Sequence, residues 1–103
     1  MNFRIEFLPI ASDDLKEIDE YLSQFYESTP DKFFQSLHKK LELLSDSPYM
    51  YNEWEDERSL RKFVVGNYLV FYRISDECQI LTIVRVIDGR GIVDPSDITL
   101  PTA

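Results

Sequence analysis

The chain has 103 residues, of which 44% are hydrophobic and 29% are charged. This composition is typical of one soluble globular domain over residues 1–103, and it excludes an intrinsically disordered chain. A single cysteine, Cys78, and a single histidine, His38, cannot supply a zinc ligand set, so we expect no metal and no cofactor. No apolar run approaches the ~20 residues of a membrane span, which predicts a cytoplasmic protein without membrane contacts.

The charges are unevenly distributed along the chain. The net charge of −8 disfavours non-specific nucleic-acid binding by the whole surface. Residues 1–57 carry five basic and fourteen acidic side chains, whereas residues 58–103 carry six basic and five acidic ones. Four basic residues and no acidic residue lie in the stretch from Arg58 to Arg73. The sequence therefore predicts a local positive region in the C-terminal half of an acidic protein.

The first third of the chain predicts a strand followed by two helices. Apolar and charged residues alternate over residues 3–7, which is the period of a half-buried strand. Helical spacing of apolar residues then predicts a helix over residues 12–27, with Ser12 as its N-cap and acidic residues in its first turn. A second helix is predicted from Thr29, a good N-cap before proline, to about Asp46. The short link between them indicates an antiparallel hairpin.

The connector over residues 48–58 combines three aromatic residues with four acidic ones. One interpretation is a solvated strap, since runs of charge are usually exposed to water. The other is a surface that meets a basic partner. The residues themselves leave both interpretations open.

The second half of the chain predicts three antiparallel strands. They cover residues 60–65, 68–75 and 78–87, and Gly66-Asn67 forms the first tight turn. The apolar run of the third strand indicates burial on both faces. Segregated helices and strands predict an α+β fold, in which the first strand joins the three-stranded meander. We expect the helical hairpin to cover one face of the sheet and the other face to be open. Residues 93–103 are interpreted as a mobile tail.

Two segments, Leu60–Arg73 and Ile83–Arg90, carry a resemblance to a known family. They read LRKFVVGNYLVFYR and IVRVIDGR, and in this order they resemble the RelE/ParE toxin superfamily, its ParE-like branch best. The resemblance covers about residues 3–92 and implies the RelE/ParE-like α+β fold. It also implies the toxin component of a type II toxin–antitoxin system, neutralised by a cognate antitoxin protein. Operator DNA would be bound only through that antitoxin.

Three departures from the family pattern bear on the target. Asp88 stands where the branch usually has histidine and Gly91 where it has a second arginine, which weakens the C-terminal basic patch. RelE-like ribonucleases carry an arginine directly after the strand tyrosine, whereas Leu69 follows Tyr68 here. An apolar side chain cannot stabilise the charge on a phosphorane. The resemblance therefore implies inhibition of DNA gyrase by binding. The alternatives are a RelE-like, metal-independent mRNA endoribonuclease acting on the ribosome, and a decayed homologue that binds only its antitoxin.

The resemblance also suggests which residues contact the target or the antitoxin. Arginine is suited to such contacts because its planar group pairs with carboxylates and phosphates. No catalytic residue is assigned. The predicted binding residues are Arg61, Lys62, Arg73, Arg85 and Arg90.

Strand periodicity predicts where two of these arginines point. Arg73 would share the face of Phe71, and Arg85 would share the face of Ile83 and Leu81, so that one face of the sheet holds both arginines. An equally good interpretation is that Arg73 and Arg85 pair with internal acidic residues as part of the framework.

Overall fold

The computed structural model describes residues 2–25 and 28–90, apart from the side chains of residues 28 and 29. Two helices and five strands follow one another along the chain. They are β1 (Arg4–Phe7), α1 (Pro9–Leu22), α2 (Ser28–Asp46), β2 (Glu53–Trp54), β3 (Glu57–Val65), β4 (Tyr68–Ser75) and β5 (Ile80–Asp88). The strands form one sheet in the order β1-β5-β4-β3-β2. The α+β fold and the meander of β3, β4 and β5 are confirmed, and β1 joins the meander by pairing in parallel with β5.

Helix α1 begins and ends earlier than we predicted. Its N-cap is Leu8, which has extended backbone angles and makes no side-chain capping hydrogen bond, and Pro9 opens the first turn. The prediction of Ser12 as the N-cap is therefore wrong: proline is pre-organised for the first helical position, so the helix starts directly after β1. It ends at Leu22, where the Ser23 N–H and hydroxyl both donate to the Asp19 carbonyl. No helix in the described part of the chain is long and apolar enough to cross a membrane.

Both helices pack on one side of the sheet, which we call the helix face. Its buried cluster takes Ala11 and Ile18 from α1 and Leu37 from α2, together with residues of β3, β4 and β5. Helix α2 ends at Asp46 as predicted and begins one residue before Thr29. Strand β5 contributes to clusters on both faces of the sheet, which confirms its predicted burial.

The opposite face of the sheet is not open, which corrects our prediction. Trp54 lies over it, 4% exposed, with its ring centroid 4.7 Å from that of Phe71. Leu60 and Val84 complete this second buried cluster. The tryptophan belongs to residues 52–58, which we call the strap, and this side of the sheet is the strap face. The strap thus buries its tryptophan while Glu55 and the other acidic residues around it stay largely in water.

A register shift between β4 and β5 changes the side of the sheet on which Arg85 lies. Phe71 lies opposite Arg85, whereas the next residue, Tyr72, lies opposite Ile83, so Val84 is an extra residue on β5. Residues directly opposite each other share a face, so Arg85 leaves β5 on the side of Phe71, and its guanidinium reaches Asp14 of α1 at the unpaired edge of the strand. The prediction that Arg85 shares the face of Ile83 and Leu81 is therefore wrong, whereas the prediction that one face of the sheet holds both Arg73 and Arg85 is confirmed.

Candidate functional site

A groove of about 340 Å³ lies between α1 and the C-terminal end of β5. We call it the α1–β5 groove. Four parts of the chain contribute to it: α1, the start of β4, the second half of β5 and the turn that follows β5. Its polar residues include Asp14, Tyr21, Tyr68, Arg85, Asp88 and Arg90.

An ion pair between Asp14 and Arg85 forms the inner wall of this groove. The Arg85 guanidinium donates from Nε to Oδ2 of Asp14 at 2.7 Å and from its terminal nitrogen to Oδ1 at 3.0 Å. This two-pronged geometry is the strong form of an arginine–carboxylate contact. Asp14 is 8% exposed, so the pair is held at the edge of the core rather than in open water.

The same carboxylate also completes the backbone hydrogen bonding of β5. Strand β1 stops pairing with β5 at Ile83, which leaves the edge of β5 beyond that residue without a neighbouring strand among the described residues. The Val86 N–H points to this edge and donates to Oδ2 of Asp14 at 3.0 Å. Because a buried N–H without an acceptor is costly, Asp14 is a structural requirement of this edge.

Our sequence reasoning missed Asp14 because it treated the residue as a first-turn acid. Ala11 and Ile18, which are both buried, lie three residues before it and four residues after it on the same side of α1. That spacing is the signal that could have identified Asp14 as a buried carboxylate in need of a partner.

A second arginine–aspartate pair forms the outer wall of the groove. The Asp88 carboxylate accepts from Nε of Arg90 at 3.0 and 3.1 Å, from its terminal nitrogen at 2.5 Å and from its backbone N–H at 3.0 Å. These hydrogen bonds hold the pKa of Asp88 at about 2, well below its usual range. Asp88, followed by a hydrogen bond with Tyr21, raises the pKa of Arg90. Both side chains of the pair remain substantially exposed.

Two tyrosines add aromatic surface to the groove. Tyr21 is 43% exposed, and its ring packs edge-on against Phe25 at 5.2 Å. Tyr68 packs edge-on against Phe33, and burial, followed by the negative charge of Asp88, raises the pKa of its phenol. Both side chains offer aromatic rings and hydroxyl groups, which are suited to recognition of a partner surface.

The structure brings Arg85 and Arg90 together and places the other predicted binding residues elsewhere. Arg61, on β3, donates to the Tyr51 carbonyl at 2.7 Å and lies over the Tyr49 ring at 4.8 Å. It therefore ties the segment before β2 to the sheet. Lys62 follows it on β3 and is only partly buried.

Arg73 lies on the strap face of β4, opposite Thr82 of β5. It forms no ion pair with any of the described residues. The interpretation that Arg85 pairs with an internal acidic residue as part of the framework is therefore confirmed, since its partner is Asp14. Arg73 forms no such pair with a described acidic residue.

The charged groups of the groove are largely paired, and the histidine of the chain lies outside it. Both of its arginines already face a carboxylate, so their charges are largely balanced. His38 lies on α2 outside the groove, where its imidazole contacts Glu42 at 2.9 Å. Within residues 2–25 and 28–90 the groove therefore lacks a histidine base, the commonest proton-transfer group of enzymes.

Comparison with known proteins decides the family. The model of the ParE toxin of the type II toxin–antitoxin system parDE matches residues 5–93. The chain belongs to the ParE toxin family. The resemblance to the RelE/ParE superfamily is thereby confirmed. No curated protein matches this ParE-family chain in sequence.

Solved structures show the same fold for this ParE-family toxin. The chromosomal ParDE system of Pseudomonas aeruginosa is similar with a TM-score of 0.66 and 13% identity, covering 84% of this chain and 95% of that one. The RelBE2 toxin–antitoxin complex of Mycobacterium tuberculosis is similar with a TM-score of 0.65 and 21% identity, and the match covers 85% of this chain and 99% of that one. The isolated RelE toxin of Escherichia coli is similar with a TM-score of 0.63 and 16% identity, and the match covers 92% of this chain and 93% of that one. Members of both branches therefore share this architecture, which does not distinguish between their targets.

Proposed function

We propose that this ParE-family toxin inhibits DNA gyrase by binding to it, and that a cognate antitoxin neutralises it in the cytoplasm. The match of residues 5–93 to the ParE model supports this choice over ribosome-dependent cleavage of mRNA. In the proposed mechanism the toxin forms and breaks no covalent bond. Binding surface, rather than proton-transfer groups, is then what the toxin must supply. We place that surface at the α1–β5 groove, with Arg90 on its exposed rim.

The observation that carries the proposal is that both arginines of the groove are paired with carboxylates. Phosphoryl-transfer catalysis needs positive charge that is free to follow the charge developing in the transition state. Arg85 and Arg90 instead each hold a carboxylate. Leu69, which occupies the position after Tyr68, packs against the buried cluster of the strap face. These contacts favour binding to a protein target over cleavage of RNA.

Tightly induced expression in a bacterial host that carries a DNA-damage reporter tests the target. We expect viable counts to fall while the reporter signal rises, and purified toxin to inhibit gyrase in a supercoiling assay. Arg90→Gln should weaken inhibition by about tenfold, since charge-assisted contacts contribute roughly 1.5–3 kcal/mol. Arg58→Gln is the matched control, because it removes the same charge from an exposed arginine outside the groove.

The same experiment separates the alternatives. Lost viability and a rapid stop in translation, with a silent reporter, would replace this proposal by the ribonuclease. Unchanged viability, with soluble toxin confirmed, would indicate a homologue that only binds its antitoxin.

The antitoxin has its own test. We expect a small protein encoded beside the toxin to co-purify with it and to restore viability when both are expressed. The toxin alone carries a net charge of −8, so it should not bind its own promoter DNA, whereas the toxin–antitoxin complex should. Fluorescence anisotropy with the labelled promoter measures both. Tight DNA binding by the toxin alone would contradict the proposal.

A further inference from the structure

The turn at the end of β5 holds the Arg90 side chain against Asp88. The Arg90 backbone N–H donates to Oδ1 of Asp88 at 3.0 Å, which is the hydrogen bond of a turn nucleated by aspartate. Between these residues, the Gly89 N–H donates to the Asn67 carbonyl at 2.8 Å. A Cβ atom on Gly89 would lie 2.8 Å from Cγ of Leu69, so glycine lets the turn pack closely against β4. The backbone therefore fixes the Asp88 carboxylate beside the Arg90 guanidinium.

The Asp88 carboxylate engages one side of the Arg90 guanidinium. Nε and one terminal nitrogen of Arg90 donate to the two carboxylate oxygens at distances of 2.5 to 3.1 Å. The other terminal nitrogen donates to no carboxylate among residues 2–25 and 28–90. The pair carries no net charge, so it attracts an incoming anion only weakly, whereas the remaining N–H groups can still donate to a neutral oxygen. The side chains of Arg90 and Asp88 are 60% and 44% exposed, so a partner can reach both.

The other charges of the α1–β5 groove also disfavour an anion. Five charged side chains line the groove, three of them acidic and two basic, which gives a net charge of −1: Asp14, Glu17, Asp88, Arg85 and Arg90. Asp14 balances Arg85, and Glu17 forms no ion pair with another described residue. A phosphate group that entered the groove would therefore meet one unbalanced carboxylate and no unbalanced cation.

We propose that Asp88 determines the specificity of the α1–β5 groove by keeping the charge of Arg90 balanced. The groove then excludes the phosphate groups of nucleic acids, and Arg90 donates to a neutral oxygen of a protein partner, such as a main-chain carbonyl. This inference rests on the proposed function, because it concerns the surface at which we place the contact with gyrase. A binding site gains specificity by opposing the wrong partner as well as by attracting the right one. Removal of the Asp88 carboxylate would release Arg90, whose planar group binds phosphate through two parallel hydrogen bonds.

Asp88→Asn tests the proposal, because it removes the charge and keeps an oxygen that can accept from the Arg90 backbone N–H. Fluorescence anisotropy measures the binding of a labelled single-stranded RNA of about 12 nucleotides at about 50 mM salt. We expect Asp88→Asn to bind this RNA about tenfold more tightly than wild type, since one repulsive charge is lost and one arginine is released to pair with phosphate. Asp56→Asn is the matched control, because it removes the same charge from an exposed aspartate outside the groove. Its RNA affinity should change by no more than about twofold.

The double variant Asp88→Asn/Arg90→Gln identifies the group that binds the phosphate. It should lose the gain in RNA affinity, since the released arginine is absent. A gain for Asp88→Asn no larger than that of the Asp56 control would overturn the proposal, and so would a gain that persists in the double variant.

The supercoiling assay compares the two kinds of partner. Inhibition of gyrase by Asp88→Asn should not rise in step with its RNA affinity, and an equal rise in both would contradict the role of Asp88 in specificity. The RNA measurements need no gyrase. A wild-type toxin that leaves gyrase uninhibited, together with the expected gain in RNA affinity for Asp88→Asn, would therefore refute the proposed function and support this role of Asp88.

Discussion

Replacing Asp14 by alanine tests the central contact of the α1–β5 groove. The substitution removes the carboxylate that accepts from Nε and the terminal nitrogen of Arg85 and from the Val86 N–H. The Arg85 side chain is 19% exposed and that of Asp14 is 9% exposed. Water therefore replaces only part of what the carboxylate provides, and we expect a large loss of stability.

The magnitude follows from these contacts. Removing one partner of a buried ion pair costs about 3 kcal/mol at the lower end, and a backbone N–H left without its acceptor adds about 1 kcal/mol. We therefore expect Asp14→Ala to lower the free energy of unfolding by about 3–4 kcal/mol. Asp14→Asn should cost less, because its amide oxygen can still accept from Val86. A native domain of ordinary stability has only about 5–15 kcal/mol to lose.

Urea denaturation followed by fluorescence measures the loss directly. Trp54 is the one tryptophan of the chain and is 4% exposed, so its emission reports unfolding of the strap face. With a urea m-value of about 1.5 kcal/mol/M, the expected loss moves the midpoint by about 2 M. Asp13→Asn is the matched control, because it removes an exposed acid from the same turn of α1.

A double-mutant cycle with Arg85→Ala decides whether the pair is responsible. The losses in unfolding free energy of the two single variants, added together, should exceed the loss of the double variant by a coupling energy of about 2 kcal/mol. Additive losses, or a loss for Asp14→Ala no larger than that for the Asp13 control, would refute this account of the groove.

Three further predictions concern other contacts. Tyr72→Phe removes the buried hydroxyl that donates to Pro48, so calorimetry should show a loss of about 1–2 kcal/mol and a Tm lower by about 5 °C or more. The pKa of Asp88, about 2, lies below its ordinary 3.8, so its pairing with Arg90 stabilises the fold above about pH 4 and is lost as pH falls through about 2. In an NMR titration, Arg90→Gln should return this pKa toward 3.8. Gly66 has a φ of +59°, so Gly66→Ala should cost about 1 kcal/mol in urea denaturation and Gly66→Asn less.

Of the two departures from the family pattern near the C-terminus, the structure describes Asp88 but not Gly91. Asp88 pairs with Arg90 and so reduces the positive charge on the rim of the groove, as the sequence suggested it would. Gly91 lies outside the described residues, so its effect on the basic patch stays a prediction.

Local signals predicted much of the fold. The bounds of β4, residues 68–75, were predicted correctly because the turn residues Gly66 and Asn67 precede a dense run of β-formers. The end of α2 at Asp46 was also correct, since Ser47-Pro48 stops a helix. Trp54 shows where local reading fails: its neighbours are acidic, and only contact with Phe71 across the sheet decides that it is buried.

The sequence by itself determined the order of elements, the family and the residues at which the main turns fall. These depend on side-chain period and turn chemistry within a few neighbouring residues. Tertiary structure alone decided that Arg85 faces Asp14, a residue 71 positions away. The extra residue at Val84 reverses the strand alternation, and the free edge of β5 needs an acceptor that only a packed helix can bring. Neither condition exists until the sheet and α1 are assembled, so no pattern confined to β5 predicts the partner of Arg85.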